Sequence, residues 1–299
     1  MNQNNRIFVA GCGGMLGEAI YNNFRTSYEL YCTDLNVNDD WIDYLDFRES
    51  DKYEKMVINY KPKLLFHIGA YTDLEFCEKH PNDAIETNYN SVKFAVNLCK
   101  KNNIKLVFIS SAGVFDGKKN IYYDDDLPTP ISQYAKTKAL SEEYIQSNLS
   151  QFLILRPGWM MGGGPKKDKK FVNKIYKQIK NNVQNLNVVN DKLGTPTYTY
   201  DFANNLKLLI ENNLTGVFNL VCEGETSRLD VAREMLKILK LSDKININEV
   251  DSNFFKNEYY AKRPLSERLE NRKLNNLNLN VMRNWKICLK EYLNNNYKI

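Results

Sequence analysis

Short apolar runs alternate with longer amphipathic stretches through the first half of the chain. The runs are rich in β-branched and aromatic residues, which favour strands, whereas the stretches repeat their apolar positions at helical spacing. The predicted strands span residues 6–10, 28–33, 64–68, 105–111 and 152–156. The predicted helices lie near residues 15–25, 50–60, 84–102 and 133–148. Strands that alternate with helices form parallel βαβ units, so we predict an α/β fold with a doubly wound parallel sheet.

The alternation becomes less regular after residue 156. A glycine-rich stretch and a lysine-rich turn precede an amphipathic helix near residues 171–181. Helices near 201–211, 229–239 and 281–294 and a strand over 216–221 follow. We therefore predict two lobes that interleave along the chain. The lobe built on the sheet takes residues 1–158, completed by about 195–222, and a smaller α/β lobe takes residues 159–194 and 223–299.

Composition narrows the class of protein. The 299 residues carry a net charge of only +5, spread along the chain, which argues against nucleic acid as the main partner. The six cysteines form no Cys-x-x-Cys pair and only two histidines are present, so neither a metal site nor a disulfide framework is expected. No segment has the length of a membrane span and no apolar leader is visible, so we expect a cytoplasmic protein with no membrane partner.

A glycine loop follows the first predicted strand. Gly11, Gly14 and Gly17 fit the spacing G-x-x-G-x-x-G, with Met15 and Leu16 between the last two glycines. Glycines at a strand-to-helix turn let backbone N–H groups and the helix N-terminus approach a pyrophosphate. The loop therefore predicts a dinucleotide site on a Rossmann sheet, although the stricter G-x-G-x-x-G spacing fails and a purely structural turn stays open.

Asp34 ends the second predicted strand, where an acidic side chain can bind the hydroxyls of an adenosine ribose. Its charge would repel a 2′-phosphate, so NAD(H) is favoured over NADP(H) as the cofactor. The alternative is a turn cap within Asp34-Leu35-Asn36, which we consider less favoured. Asp46 is a weaker candidate for the same region.

The candidate catalytic residues are Tyr134 and Lys138, which form a Tyr-x-x-x-Lys pair on one face of a predicted helix. An ammonium beside the phenol would lower the pKa of the tyrosine, so that it can act as a general acid. Ser110 and Ser111 end the preceding strand, and one of these hydroxyls can orient the reacting oxygen.

The order of these motifs resembles that of the extended short-chain dehydrogenases, and most closely the dTDP-4-dehydrorhamnose reductases. The resemblance runs through nearly the whole chain. The segments that carry it are the glycine loop, 69–72, 109–117, the tyrosine helix, Arg156 with Trp159, 194–198, 262–264 and 285–292.

The resemblance implies a role for each matching residue. Ser111, rather than Ser110, would be the catalytic hydroxyl, Tyr134 the general acid, and Lys138 the residue that binds the nicotinamide ribose. The residues implied to line the cofactor are Gly69, Ala70 and Tyr71, with Asp46 at the adenine. The residues implied to face the sugar are Thr72, Ala112 and Trp159, together with Ser111 and Tyr134.

The implied function is the NAD(P)H-dependent reduction of a 4-keto group on a nucleotide-activated 6-deoxy sugar. The 159–194 and 223–299 lobe would bind this substrate, and a homodimer is compatible with the resemblance. A nucleotide-sugar 4-epimerase stays open as an alternative. So does a cofactor-binding regulatory subunit like that of methionine adenosyltransferase, although Ser111, Tyr134 and Lys138 favour an enzyme.

The chain departs from the pattern of the reductases in two segments. Ala112 and Gly113 follow Ser111 where those enzymes usually carry Thr-Asp-Tyr, and His67 replaces an expected asparagine. Without an acidic pair or a cysteine after the serine, dehydration and epimerisation beside the ketone are disfavoured. His67 could face the substrate, but the interpretation that we favour is a hydrogen-bonded structural histidine.

Two charged runs are given structural interpretations. The lysines of 166–170 are interpreted as a solvated face, although they could attract a diphosphate. The three acids of 124–126 are interpreted as an exposed turn and not as a metal site.

Overall fold

The computed structural model describes residues 5–297. The strands are β1 (Arg6–Ala10), β2 (Glu29–Asp34), β3 (Ile42–Tyr44), β4 (Leu64–His67), β5 (Lys105–Ile109), β6 (Phe152–Arg156), β7 (Trp159–Met161), β8 (Asn185–Val189), β9 (Leu193–Gly194), β10 (Pro196–Tyr198), β11 (Gly216–Asn219), β12 (Thr226–Ser227), β13 (Asn246–Val250) and β14 (Ser266–Glu267). The α-helices are α1 (Gly17–Phe24), α2 (Ser50–Tyr60), α3 (Leu74–Lys79), α4 (Pro81–Ile85), α5 (Ser91–Asn102), α6 (Gln133–Asn148), α7 (Gly164–Lys167), α8 (Phe171–Lys180), α9 (Thr199–Glu211), α10 (Arg228–Ile238), α11 (Arg272–Asn276) and α12 (Trp285–Asn296).

Seven parallel strands form the central sheet, in the order β11-β6-β5-β4-β1-β2-β3. The predicted doubly wound Rossmann sheet is confirmed. The strand order reverses between β1 and β4, and ligands of such sheets bind beyond the carboxyl ends of the strands at this switch point. The loops after β1, β4 and β5 therefore share one edge of the sheet.

Helices cover both faces of the sheet. Apolar residues of α1, α9 and α11 pack on one face, and those of α2, α5 and α6 pack on the other. The central strands β4 and β5 are buried almost completely, which explains why their sequences are continuous apolar runs and not alternating ones. A rigid sheet of this kind fixes the loops at its edge.

A second core lies outside the sheet, among residues of α8, α10 and α12 and the parallel pair of β8 with β13. The small sheet β12-β9-β14 and the pair of β7 with β10 connect this part to the end of β6. The proposed lobe boundaries stay a prediction. Within residues 5–297, the helices are too short or too polar to cross a membrane.

The predicted elements differ from the observed ones in two places near the site. The strand predicted over 105–111 ends at Ile109, because a short 3-10 turn at Ala112–Val114 begins directly after the two serines. The helix predicted over 84–102 contains a π-helical turn at Glu86–Asn90 between α4 and α5. Such turns commonly accompany functional sites, and this one carries Asn88.

Candidate active site

The glycine loop leaves its outer side open. A Cβ atom at Gly11 would overlap the backbone of Gly69, and one at Gly17 would overlap the backbone of Cys12. These two glycines allow close packing of the loop, whereas a Cβ at Gly14 would meet nothing within 4 Å. Helix α1 has no side-chain cap at its N-terminus. The open loop and the uncapped helix end fit the predicted pyrophosphate, and Met15 and Leu16 lie within this turn.

Asp34 forms the hydrogen bonds of a turn cap, which the sequence analysis considered the less favoured interpretation. Its Oδ1 accepts a hydrogen bond from Asn36 N at 2.8 Å, and its Oδ2 accepts one from Gly13 N at 2.9 Å. The carboxylate therefore also anchors the glycine loop. Oδ1 also accepts a longer hydrogen bond from Asn36 Nδ2 at 3.5 Å, so Oδ2 is the oxygen that keeps acceptor capacity for a ribose hydroxyl.

The segment after β4 is held by the π-helical turn. The side chain of Asn88 accepts from Tyr71 N at 2.8 Å and donates to Tyr71 O at 2.9 Å, which fixes the backbone next to Ala70. Arg48 donates to the Tyr71 hydroxyl at 3.2 Å and pairs with Asp46 at 2.6 Å. Asp46 is therefore bound to an arginine that the sequence analysis did not select.

His67 is buried and structural. Its Nδ1 lies 3.1 Å from the Tyr53 hydroxyl, and its Nε2 lies 3.1 Å from Ser91 Oγ. Since Ser91 already donates to Thr87 O, the ring donates from Nε2 and accepts at Nδ1. Burial lowers the pKa of His67 to about 3, so the imidazole is neutral at physiological pH. The structural interpretation of His67 is confirmed.

The two serines after β5 have different partners. Ser110 donates to the buried carboxylate of Glu142, which also forms an ion pair with Arg156 at 2.6 Å. Ser111 Oγ accepts from Gly113 N at 3.0 Å, and it lies close enough to the Tyr134 hydroxyl to lower the pKa of that group. The structure therefore brings Ser111, and not Ser110, to the tyrosine; its catalytic role stays a prediction.

The electrostatics of Tyr134 differ from the prediction. Burial raises the pKa of Tyr134 above its ordinary value, and the hydrogen bond from Ser111 opposes this only in part. Lys138 does not lower it: its Nζ donates to Ile109 O at 2.8 Å and lies 4.6 Å from the centre of the Phe108 ring. Burial also lowers the pKa of Lys138 to about 7. The prediction that Lys138 lowers the pKa of the Tyr134 phenol is wrong for this arrangement. Desolvation is the largest cause of the pKa shift of both groups.

Trp159 lies between a carboxylate and a guanidinium. Its Nε1 donates to Glu267 Oε2 at 2.7 Å, and the guanidinium of Arg228 lies 3.7 Å from its ring centre. Ala112, expected to contact the sugar, is only 1% exposed and packs in a small apolar cluster. Its side chain therefore contributes to packing and not to the surface of the site.

The two charged runs form more contacts with the rest of the protein than the sequence analysis predicted. Lys170 Nζ donates to Thr72 O at 3.0 Å and to Thr72 Oγ1 at 3.2 Å, and Lys167 pairs with Asp39. Only part of the lysine run is thus a solvated face. Asp124 is 3% exposed and accepts from the backbone of Asn219 at 2.7 Å, so the predicted exposed turn is wrong for this residue.

Comparisons with known proteins agree with this geometry. Residues 5–298 match the RmlD substrate binding domain family. The chain belongs to this family. A crystal structure of the dTDP-4-dehydrorhamnose reductase of Yersinia enterocolitica superimposes on this RmlD-family chain with a TM-score of 0.87 and 30% identity, covering 97% of this chain and 99% of that one.

Two proteins of similar sequence to this RmlD-family chain have different names. A dTDP-4-dehydrorhamnose reductase of Aggregatibacter actinomycetemcomitans is 28% identical over 216 residues, which cover 71% of this chain and 69% of the relative. The methionine adenosyltransferase 2 subunit beta of Rattus norvegicus is 23% identical over 298 residues, covering 96% and 87%. The reductase and the regulatory subunit, two of the functions weighed from the sequence, are therefore both represented among the relatives.

Sequence reasoning missed several polar residues around the site of this RmlD-family chain. Asn88, Glu142, Arg228 and Glu267 were not selected, although each contacts a predicted site residue or its immediate neighbour. Glu142 lies four residues after Lys138 on the same helix face, a spacing that could have identified it. The others meet the site through long-range contacts that no local pattern reveals.

Proposed function

We propose that this chain is an NAD(P)H-dependent reductase that converts the C4 ketone of a dTDP-activated 4-keto-6-deoxy sugar into an alcohol. The approach of the Ser111 hydroxyl to the Tyr134 hydroxyl, near the carboxyl edge that carries the glycine loop, is the observation that supports this chemistry most directly. Membership of the RmlD family and the names of the relatives support the substrate class. A cytoplasmic location and a homodimer stay predictions from the sequence.

Tyr134, Ser111 and Lys138 have separate roles in the proposed reaction. A bound nicotinamide supplies the hydride that reaches the ketone carbon. Tyr134 donates its proton to the ketone oxygen, and its raised pKa keeps the phenol protonated until that oxygen becomes basic. Ser111 orients the oxygen through its hydroxyl. Lys138 anchors the tyrosine helix to the end of β5 through Ile109 O.

The geometry also supports a binding site for the dinucleotide cofactor along the carboxyl edge of the sheet. The glycine loop would hold the pyrophosphate, Asp34 the adenosine ribose, and Gly69 to Tyr71 the next part of the dinucleotide. Asp46 and Arg48 would meet the adenine end as a pair. Thr72 and Trp159 would border the sugar, with Lys170 bound to Thr72.

Turnover of a defined substrate tests the proposed function. We expect NADH or NADPH to be oxidised when dTDP-4-dehydrorhamnose is added, with a product heavier by two hydrogens in mass spectrometry. A regulatory subunit would bind the cofactor and leave the keto sugar unchanged. A 4-epimerase would isomerise a nucleotide sugar without net cofactor oxidation. Either result would contradict the reductase assignment.

We further propose that NADH binds more tightly than NADPH. The carboxylate of Asp34 lies next to the glycine loop, where its charge opposes a 2′-phosphate. We expect a preference of about 10-fold or more in fluorescence titrations, because juxtaposed like charges cost several kcal/mol. Asp34→Asn keeps a carbonyl oxygen for Gly13 N but loses the charge, and it should reduce this preference.

Asp43→Asn is a matched control for that titration. Asp43 is exposed on the neighbouring strand β3, so the same change of charge there should leave the preference unaltered. Tighter binding of NADPH by the unmodified chain would contradict the proposed role of Asp34.

A further inference from the structure

Glu267 is a carboxylate at the substrate side of the site that no motif selected. It ends strand β14, which pairs in parallel with β9 so that Glu267 lies beside Gly194. The indole of Trp159 occupies the space that a side chain at position 194 would need. As a result, Trp159 Nε1 donates to Glu267 Oε2 at 2.7 Å across 108 positions of sequence.

The second oxygen of this carboxylate is open. Among residues 5–297, no donor forms a hydrogen bond to Glu267 Oε1. It lies 3.5 Å from the point that a Cβ atom of Gly113 would occupy, and Ser111 Oγ lies 3.3 Å from that same point. Glu267 and Ser111 thus border one small space that glycine leaves empty. The charge of Glu267 also acts on Tyr134, where it raises the pKa of the phenol.

A cation stabilises the carboxylate without occupying its free oxygen. Arg228 stacks on Trp159 at 3.7 Å and on Phe171 at 4.8 Å. Burial lowers the pKa of Arg228 to about 10, and the charge of Glu267 opposes that change. No nitrogen of Arg228 forms a salt bridge with Glu267 in the described part of the chain. The two charges balance while Glu267 Oε1 remains available to a ligand.

An ionised carboxylate oxygen only accepts hydrogen bonds, so its partner must be a donor. The ketone oxygen of the proposed substrate has no proton, whereas the hydroxyl on C3, next to the ketone carbon, does. We propose that Glu267 Oε1 binds a sugar hydroxyl adjacent to the reacting carbon, and so determines which keto sugar is accepted. This inference rests on the proposed function and assigns Glu267 a role in specificity.

Glu267→Gln tests the inference with little change of shape. The amide oxygen of glutamine can still accept from Trp159 Nε1, but its NH₂ group replaces the free acceptor with a donor. A hydrogen bond to a charged group contributes about 1.5–3 kcal/mol, so we expect dTDP-rhamnose to bind about 10–100-fold more weakly. Binding of dTDP alone, which has no such hydroxyl, should not change. Isothermal calorimetry measures both ligands.

Deoxy analogues of dTDP-rhamnose identify the contact itself. Removing the hydroxyl that meets Glu267 should weaken binding to the unmodified chain by a similar factor and have little further effect on Glu267→Gln. Glu249→Gln is the matched control, because Glu249 is an exposed acid of the same part of the chain, paired with Arg233. It should bind every ligand as the unmodified chain does.

Three results would overturn the inference. Equal losses for dTDP and dTDP-rhamnose would mean that Glu267 acts only by holding Trp159. Unchanged binding of both would mean that Glu267 does not contact the sugar. Deuterium uptake from solvent at a carbon next to the ketone, lost in Glu267→Gln, would make Glu267 a proton-transfer base instead. In each case the unmodified chain would still oxidise NAD(P)H, so the proposed function would stand.

Discussion

Replacing Tyr134 with phenylalanine should reduce the single-turnover rate of ketone reduction by about 10²-fold or more, the usual loss for a missing general acid. The substitution removes only the hydroxyl, which lies near that of Ser111. The glycine loop and Asp34 are untouched, so the dissociation constant of the cofactor should change little. Stopped-flow oxidation of bound NADH by dTDP-4-dehydrorhamnose measures the rate, and fluorescence titration measures the binding.

Tyr144→Phe provides the control on the same helix. The hydroxyl of Tyr144 donates to Asn97 at 3.3 Å on an exposed surface, so its loss should leave the turnover rate unchanged. A Tyr134→Phe variant that binds cofactor normally and turns over near the unmodified rate would contradict the proton transfer proposed for Tyr134.

Much of the sheet and several helices could be predicted because their signals are local. Helices α2 and α6 begin and end at the predicted residues, since apolar positions and flanking polar residues mark both ends. The strand β3 was missed, because its three residues are too few to show a period and two of them are exposed. The π-helical turn before α5 was missed for a different reason: its sequence is compatible with an ordinary helix.

The site was predictable where motif and strand end coincide. Ser111, Tyr134 and Lys138 were selected because they follow β5 or share a helix face, and the structure brings them together. Asn88 and Glu267 were not, because their contacts with Tyr71 and Trp159 join distant parts of the chain. Residue spacing carries no information about such pairs until the register of the sheet is known.

The directions of the pKa shifts could not be predicted without the fold either. The spacing of Tyr134 and Lys138 predicts proximity but not burial, and burial determines the direction of both pKa shifts. The same holds for Arg156 and Glu142, whose side chains form a buried pair between β6 and α6. Sequence alone could not distinguish that pair from a solvent-exposed one.

Replacing Arg156 with methionine should lower the free energy of unfolding by about 3–5 kcal/mol, the range measured when one partner of a buried ion pair is lost. Arg156 is 2% exposed, and it donates to Glu142 from Nε at 3.0 Å and from Nη2 at 2.6 Å. Methionine fills much of the volume but leaves the carboxylate of Glu142, which is 0% exposed, without a counter-charge. Urea unfolding followed by circular dichroism measures the loss.

A second variant distinguishes the effect of the unpaired charge on the free energy of unfolding from the effect of the lost side-chain volume. Glu142→Gln combined with Arg156→Met removes both charges, so the double variant should be more stable than Arg156→Met alone. Arg233→Met removes an exposed partner of Glu249 and should cost less than about 1 kcal/mol. If Arg156→Met unfolds at the same urea concentration as the unmodified chain, the buried pair does not stabilise the attachment of the tyrosine helix to the sheet. Because that helix carries Tyr134, a true loss of the pair should also reduce turnover below the unfolding transition.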